Sequence, residues 1–264
     1  YEFPETRSGA SLKMVAWKEI SPSDGFKILW RDRFLQLLAL SMFTLLVGFM
    51  GMFITLTPFL IAHGFTQVSA LFVQGTAVFC TIASVQLNHR LQQQQSEIGA
   101  IKIGLCTIAA GMLVLGAVAA SNSAGVWCGV TLIGVGFGLS LPSLKALISM
   151  QVEEADQAKV QGLIGMFAIL GISLGGFMYA KTLFNATDTG LRAGRPFFGA
   201  SAAVLLSAAI ISYADRWRRR QRQRLADGGL GEGKAPGSSG NDGVEGSASS
   251  PAADSVRAQQ QTAL

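Results

Sequence analysis

The few residues that could do chemistry in this sequence lie inside long apolar stretches. Gln74, Ser140 and Ser143 carry an amide and two hydroxyl groups among apolar neighbours. A polar group in the middle of a membrane helix must find a hydrogen-bond partner, because water is absent there. Its partner is either a neighbouring helix or a polar cavity, and for the two serines alone the helix contact is the commoner outcome. Gln74 is the stronger cavity candidate, since its amide has more hydrogen bonds to satisfy.

The types and spacing of the residues do not support catalysis or metal binding. His63 and His89 lie in different predicted loops on opposite sides, and the three cysteines lack paired spacing. A nucleophile needs an activating base, but no carboxylate or histidine lies in the apolar stretches. The glycines from Gly134 to Gly138 lack the preceding strand of a dinucleotide-binding loop. The sequence predicts no enzyme, no cofactor and no metal.

Six apolar stretches are long enough to cross a bilayer, which takes about 20 residues each. They are residues 35–61, 68–87, 98–120, 125–149, 160–183 and 197–214. Only 14% of the 264 residues are charged, against about a quarter in soluble domains. The fold class predicted is therefore an all-α, polytopic membrane protein. Its parts are a loop and helix start at 1–34, six transmembrane helices at 35–214, and a basic segment with a disordered tail at 215–264.

Small residues in the fourth and fifth stretches predict close helix packing. Glycine at an interface lets two helix backbones approach each other, and proline removes a backbone hydrogen bond and favours a bend. We therefore expect a close-packed pair formed by the fourth and fifth helices, either static or able to flex. The residues concerned are Gly134, Gly136, Gly138, Pro142, Gly171 and Gly175. In the first stretch, Met42, Phe43, Met50, Met52 and Phe53 could form a pliable apolar wall or ordinary core.

Lysine and arginine are distributed unevenly between the two sides of the predicted helices. Of 21 such residues, 18 fall on the side that carries both ends of the chain and three on the other. The positive-inside rule then places both ends in the cytoplasm, in a membrane that the sequence does not specify. Asn185 begins a possible glycosylation site on the opposite side. The basic run 216–224 directly follows the last helix, where it faces anionic lipid rather than nucleic acid.

Several segments resemble the major facilitator superfamily, in particular its carboxy-terminal six-helix half. Residues 3–7 look like the Pro-Glu-Ser/Thr signature that ends its sixth helix, and residues 29–35 look like the start of the seventh. Residues 136–149, followed by Gln161-Gly162, are similar to the tenth and eleventh helices of tetracycline/proton antiporters. Residues 85–90 depart from the family, because they lack the Gly and Asp of its Gly-x-Leu-x-Asp-Arg loop.

The resemblance implies a secondary active transporter of a small drug-like, organic or metabolite solute. Two six-helix halves would enclose a midplane site and rock to give alternating access. The partners expected are the lipid bilayer, the solute and a missing amino-terminal half, for which the start at Tyr1 is an expected boundary. Gln74, Ser140 and Ser143 are predicted to face the pathway. The alternative is a transporter-like receptor or scaffold that works through its carboxy-terminal tail.

Overall fold

The structure is a computed structural model that describes residues 22–94, 96–118, 123–153, 156–183 and 192–229. Seven α-helices and one π-helical turn, Tyr179–Leu183, make up these residues. The helices are α1 (Pro22–Arg31), α2 (Arg33–Ala62), α3 (Gln67–Gln94), α4 (Glu97–Val118), α5 (Ser123–Ser149), α6 (Gln157–Met178) and α7 (Arg195–Gly229).

Helices α2 to α7 are each long and apolar enough to cross a membrane. This confirms the predicted all-α membrane fold and its six spans. Two helices exceed their predicted ends, because Gln and Arg favour helix as strongly as most apolar residues do. Helix α3 continues to Gln94, and α7 continues through the basic run to Gly229. The segment that was expected to be a loop after Leu87, and the start of the basic segment, are therefore helical.

A short helix precedes the first span and packs beside it. The Phe26 ring of α1 lies edge-on against Phe167 of α6, with ring centroids 6.1 Å apart. Asp32 separates α1 from α2 and caps the second helix, since its Oδ1 accepts from the Phe34 backbone N–H at 2.8 Å. Capping of this kind satisfies one of the backbone donors left free at a helix start. Asp32 thus marks where the first span begins.

Glycine residues lie where the spans approach each other closely. A methyl group added at Gly136 of α5 would lie 2.5 Å from the Gly104 carbonyl oxygen of α4. The other glycines singled out from the sequence lie against different helices. Gly134 and Gly138 of α5 pack against α3, and Gly171 and Gly175 of α6 pack against α2. Each of these glycines lies against a neighbouring helix. The predicted pairing of the fourth and fifth spans is wrong, because α5 presents its glycines to α3 and α4, whereas α6 presents its own to α2.

Pro142 lies inside α5, which remains one helix from Ser123 to Ser149. The ring leaves one backbone carbonyl of the preceding turn without its helical donor. The bend predicted at this position stays a prediction.

Helix α7 closes the bundle against α2 and α4. The hydroxyl oxygens of Ser41 and Ser207 lie 2.7 Å apart, and both side chains are buried. The Ser201 hydroxyl donates to the Ala109 carbonyl oxygen at 3.2 Å. These contacts place α2, α4 and α6 so that they begin at the end of the bundle where α3, α5 and α7 finish. We refer to this end, which carries Lys102, Lys145 and Arg218, as the basic end.

The glycine contacts predict a clear difference between two alanine substitutions. G136A should lower the free energy of unfolding by about 1–3 kcal/mol, the usual range for overpacking, because its new methyl group meets the backbone of α4. G165A is the matched control in α6, since nothing lies within 4 Å of a methyl group there. It should leave stability unchanged or raise it by up to about 1 kcal/mol. Denaturant unfolding in detergent micelles measures both, and equal effects would contradict the packing described.

Candidate functional site

Gln74 joins the middle of α3 to the middle of α2. Its side-chain Nε2 donates to the Phe53 backbone carbonyl oxygen at 3.2 Å, and the side chain is half-buried. The carbonyl belongs to a helix, so the amide uses one of its two donors on an oxygen that already has a backbone partner. Among the described residues, the other donor and the oxygen of the Gln74 amide have no hydrogen-bond partner.

An aromatic stack connects α2 to α5 next to Gln74. The Phe49 and Phe137 rings are nearly parallel, with centroids 3.9 Å apart and planes at 12°. Phe53 stacks on the other side of Phe49 at 5.9 Å. Sequence reasoning missed Phe137, because an aromatic residue in an apolar helix has no distinguishing signal. The stack forms an apolar wall on which flat or apolar groups could pack.

The methionines proposed for a pliable wall divide between the core and the surface. Met42 and Met52 are buried, with exposures of 3% and 2%. Met50 and Phe53 stay partly exposed, one turn apart along α2. Only these last two continue the aromatic wall.

One side of α5 remains uncovered while its other sides pack against α3 and α4. In its second half the partly or fully exposed residues recur at helical spacing, which marks a single face. We define the open face as this side of α5 with the adjoining residues of α2 and α3. It comprises Met50, Phe53, Thr57, Gln74, Phe137, Leu141, Pro142, Lys145 and Ser149.

Polar groups concentrate where the open face reaches the basic end. Gln161 of α6 donates from Nε2 to the Ser149 hydroxyl at 2.7 Å, and Gln157 donates to the Ser149 carbonyl oxygen at 3.2 Å. Lys145 lies one turn earlier and is exposed; within the described part of the chain it makes no hydrogen bond or ion pair. A charge on a membrane-length helix requires a polar or hydrated environment. This part of the open face therefore suits water and anionic groups better than lipid tails.

The two serines predicted to face a pathway lie inside helix contacts instead. Both Ser140 and Ser143 have 0% exposure. Ser143 accepts from Asn88 Nδ2 at 2.9 Å and donates to the Leu139 carbonyl oxygen at 2.8 Å. Ser140 packs over Gly104 of α4, and its hydroxyl has no hydrogen-bond partner within the described residues. The polar residue type indicated either a helix contact or a polar cavity for both serines. The orientation of α5 points both side chains toward neighbouring helices.

Asn88 is a buried polar residue that sequence reasoning placed in a loop. It has 3% exposure and bonds to Ser143 across the α3–α5 contact. Thr81, two turns earlier on the same side, donates to the Gly134 carbonyl oxygen at 3.1 Å. The spacing of Thr81, Ser84 and Asn88 matches one helical face and is the signal that could have revealed this polar seam.

Three sequence features lie outside the described residues. They are the Pro-Glu-Thr segment at 4–6, the possible glycosylation site at Asn185, and the tail beyond residue 229. Among the residues that are described, no group of three or more His, Cys, Asp or Glu side chains could hold a metal ion.

Comparison with models of known protein families finds a match over most of the helical part of the chain. The family model described as Major Facilitator Superfamily matches residues 2–176 of the chain. This match includes α1 to α6 as far as Gly176 and therefore contains the whole open face. A search of the curated proteins finds no match.

The buried serines predict opposite results for two alanine substitutions on the same helix. S143A leaves the Asn88 amide without its cross-helix partner and should reduce unfolding free energy by about 0.5–2 kcal/mol, the range for interhelical hydrogen bonds. S140A removes a hydroxyl that makes no hydrogen bond, so stability should stay within about 0.5 kcal/mol or rise. Thermal unfolding in detergent compares the two variants. A larger loss for S140A than for S143A would show that the hydroxyl contacts are assigned wrongly.

Proposed function

Because the chain belongs to the Major Facilitator Superfamily, we propose that its open face forms one wall of a solute pathway that works by alternating access. The family consists of membrane transporters of small solutes, and the chain is accordingly an integral, multi-pass membrane protein. In this proposal, the solute moves along the open face. It takes the solute to be a drug-like, organic or metabolite molecule, in keeping with an aromatic wall bordered by an amide and a cation.

The observation that carries this proposal is the polar and charged content of a face that none of the described helices covers. Gln74 and Lys145 lie on this face although both belong to membrane-length helices. Polar and ionisable side chains in such helices generally face a cavity or another protein surface rather than lipid. A water-accessible pathway supplies the environment that both groups need.

We further infer that the chain acts as the carboxy-terminal half of a two-halved transporter. The helices that would meet a second half are the least covered ones. In the apolar windows of α3 and α6, 22% and 28% of residues are buried, against 50% to 56% in α2, α4 and α5. An amino-terminal six-helix half would complete the pathway. The similarity of residues 136–149 to tetracycline/proton antiporters supports our assignment of the chain to that subgroup of the family.

The proposed orientation has the basic end in the cytoplasm. The charge distribution of 18 to three between the two sides supports it, because retention of Lys and Arg on the cytoplasmic side governs membrane insertion. Both ends of the six-helix segment are then cytoplasmic.

A receptor or scaffold without transport is the second candidate. The observation that favours it is the helical extension of α7 through its arginines to Gly229, which offers a surface for a partner. Solute flux into proteoliposomes that contain the complete transporter distinguishes the two functions. Flux supports the pathway, and its absence for every solute class tried, with folded protein, supports the receptor.

Cysteine accessibility tests the open face without knowledge of the solute. In a chain whose Cys80, Cys106 and Cys128 are replaced by Ala, Q74C should react with a small hydrophilic thiol reagent at least tenfold faster than F79C. Phe79 is 72% exposed on another side of α3, where lipid or the second half would exclude water. The measurement is the labelling rate in membranes.

Two outcomes of the accessibility experiment would count against the pathway. In one, Q74C reacts as slowly as F79C, so the open face is covered by lipid. In the other, F79C reacts as fast as Q74C, so the bundle has no distinct hydrated side. Rates measured in denaturant serve as the control for intrinsic thiol reactivity.

Orientation is tested with two exposed arginines on either side of the apolar part of α7, Arg192 just before the helix and Arg220 after the apolar part. In the same cysteine-free chain, R192C should react with a membrane-impermeant maleimide on intact cells. R220C should react only after the membrane is permeabilised. Both residues are exposed, so their reactivity with the maleimide should differ only because they lie on opposite sides of the membrane. The reverse labelling pattern would overturn the proposed orientation.

A further inference from the structure

A cavity of about 410 Å³ lies at the basic end, where the start of α4 meets α5 and α7. Its volume falls in the range of about 300–1,000 Å³ that small-molecule pockets occupy. Arg218, Arg219 and Arg222 line one side, and the apolar side chains of Ile98 and Leu147 line another. The solute pathway does not use this cavity, because it lies among helices on the other side of α5 from the open face.

An ion-pair cluster holds the wall of the cavity in place. The Asp215 carboxylate receives Lys102 Nζ of α4 at 2.7 Å and Arg219 Nε at 3.0 Å. Asp215 itself has only 7% exposure, so its negative charge is enclosed by the two cations. This cluster links α4 to α7 and engages both carboxylate oxygens of Asp215.

Arg218 and Arg222 are the two cavity cations that the cluster does not use. They lie one turn apart on α7, so both guanidinium groups project from the same side. Arg218 is held over the Phe34 ring, with Cζ 5.1 Å from the ring centroid. Within the described residues neither arginine makes a hydrogen bond or a close ion pair.

The carboxylates near Arg218 do not occupy its donors. Asp215, Asp32 and Glu97 all lie close enough to interact with Arg218 electrostatically, but none of them makes a close ion pair with it. Asp32 uses one carboxylate oxygen to cap α2. Counting Lys102, the cavity and its ion-pair cluster hold four cations against the carboxylates of Glu97 and Asp215. An anion is therefore favoured there.

We propose that this cavity binds a phosphate group through the guanidinium groups of Arg218 and Arg222. Arginine presents a planar set of donors that matches phosphate oxygens in pairs. The apolar side formed by Ile98 and Leu147 accommodates hydrocarbon next to the phosphate. The occupant is accordingly the headgroup of an anionic phospholipid from the leaflet at the basic end, and free phosphate is the other source of the same chemistry.

The test compares two double substitutions that remove equal charge from α7. R218Q/R222Q removes the cavity pair, and R216Q/R220Q removes two exposed arginines outside the cavity. Native mass spectrometry of the purified full chain in neutral detergent measures bound phosphatidic acid, with phosphatidylcholine as the neutral comparison. We expect R218Q/R222Q to weaken phosphatidic acid binding at least fivefold, and R216Q/R220Q to weaken it less than twofold.

A second experiment measures the binding of inorganic phosphate by isothermal titration calorimetry. It uses the unchanged chain, R218Q/R222Q and R216Q/R220Q. Loss of lipid binding confined to R218Q/R222Q supports the phospholipid. Loss of phosphate binding alone, again confined to that variant, supports the site but assigns it to a soluble phosphate. Equal effects of the two double substitutions on both ligands overturn the proposal, since attraction would then be general to the basic helix.

Unfolding temperatures of all variants establish that binding is compared between folded proteins. If R218Q/R222Q unfolds, R222Q replaces it, because Arg222 is exposed and makes no described contact that folding requires. R218K/R222K keeps the charge and loses the paired donor geometry. It should bind phosphatidic acid more weakly than the unchanged chain and more tightly than R218Q/R222Q, and full binding by this variant would contradict recognition by paired donors.

Discussion

Close approach of helix backbones is the constraint on which the rest of the structure depends. Lipid tails are as apolar as leucine, so helices in a bilayer gain little by hiding apolar surface and associate through tight packing instead. Helix α5 meets this requirement on two sides, through Gly136 toward α4 and through Gly134 and Gly138 toward α3. Helix α6 meets it on one side, against the backbone of α2. Residues larger than glycine at these positions would separate the spans.

The packing determines which polar groups become structural and which stay available. Where α5 presses against its neighbours, Ser143 and Asn88 are drawn into the contact and satisfy each other. On the side of α5 that the described helices leave open, Lys145 stays exposed, and one donor of the nearby Gln74 amide has no partner among the described residues. The same helix thus separates a sealed polar seam from the open face, which we propose to line the solute pathway. Family membership explains why such a face is useful in a membrane protein.

The charged residues at the basic end form two sets, one that joins helices and one that lies beside a cavity. Asp215, Lys102 and Arg219 form a nearly enclosed cluster that ties α7 to α4. Arg218 and Arg222 remain beside a cavity with an apolar wall. Because α7 stays helical beyond its apolar part, the spacing between its arginines is fixed by the helix. A flexible basic segment would place the same charges near lipid without fixing their spacing.

The sequence by itself determined the fold class, the six spans and the family resemblance, because bilayer thickness and the absence of water dictate long apolar helices. It also identified the packing glycines, since residue size alone allows close approach. Only the tertiary structure decided which helices those glycines join and which way each polar side chain points. Neighbouring residues on a helix differ by about 100° in direction, so Ser143 and Lys145 face a sealed contact and an open surface respectively. The pattern of apolar residues around them is nearly uniform and cannot distinguish these sides, whereas the packing of α3 and α4 against α5 does.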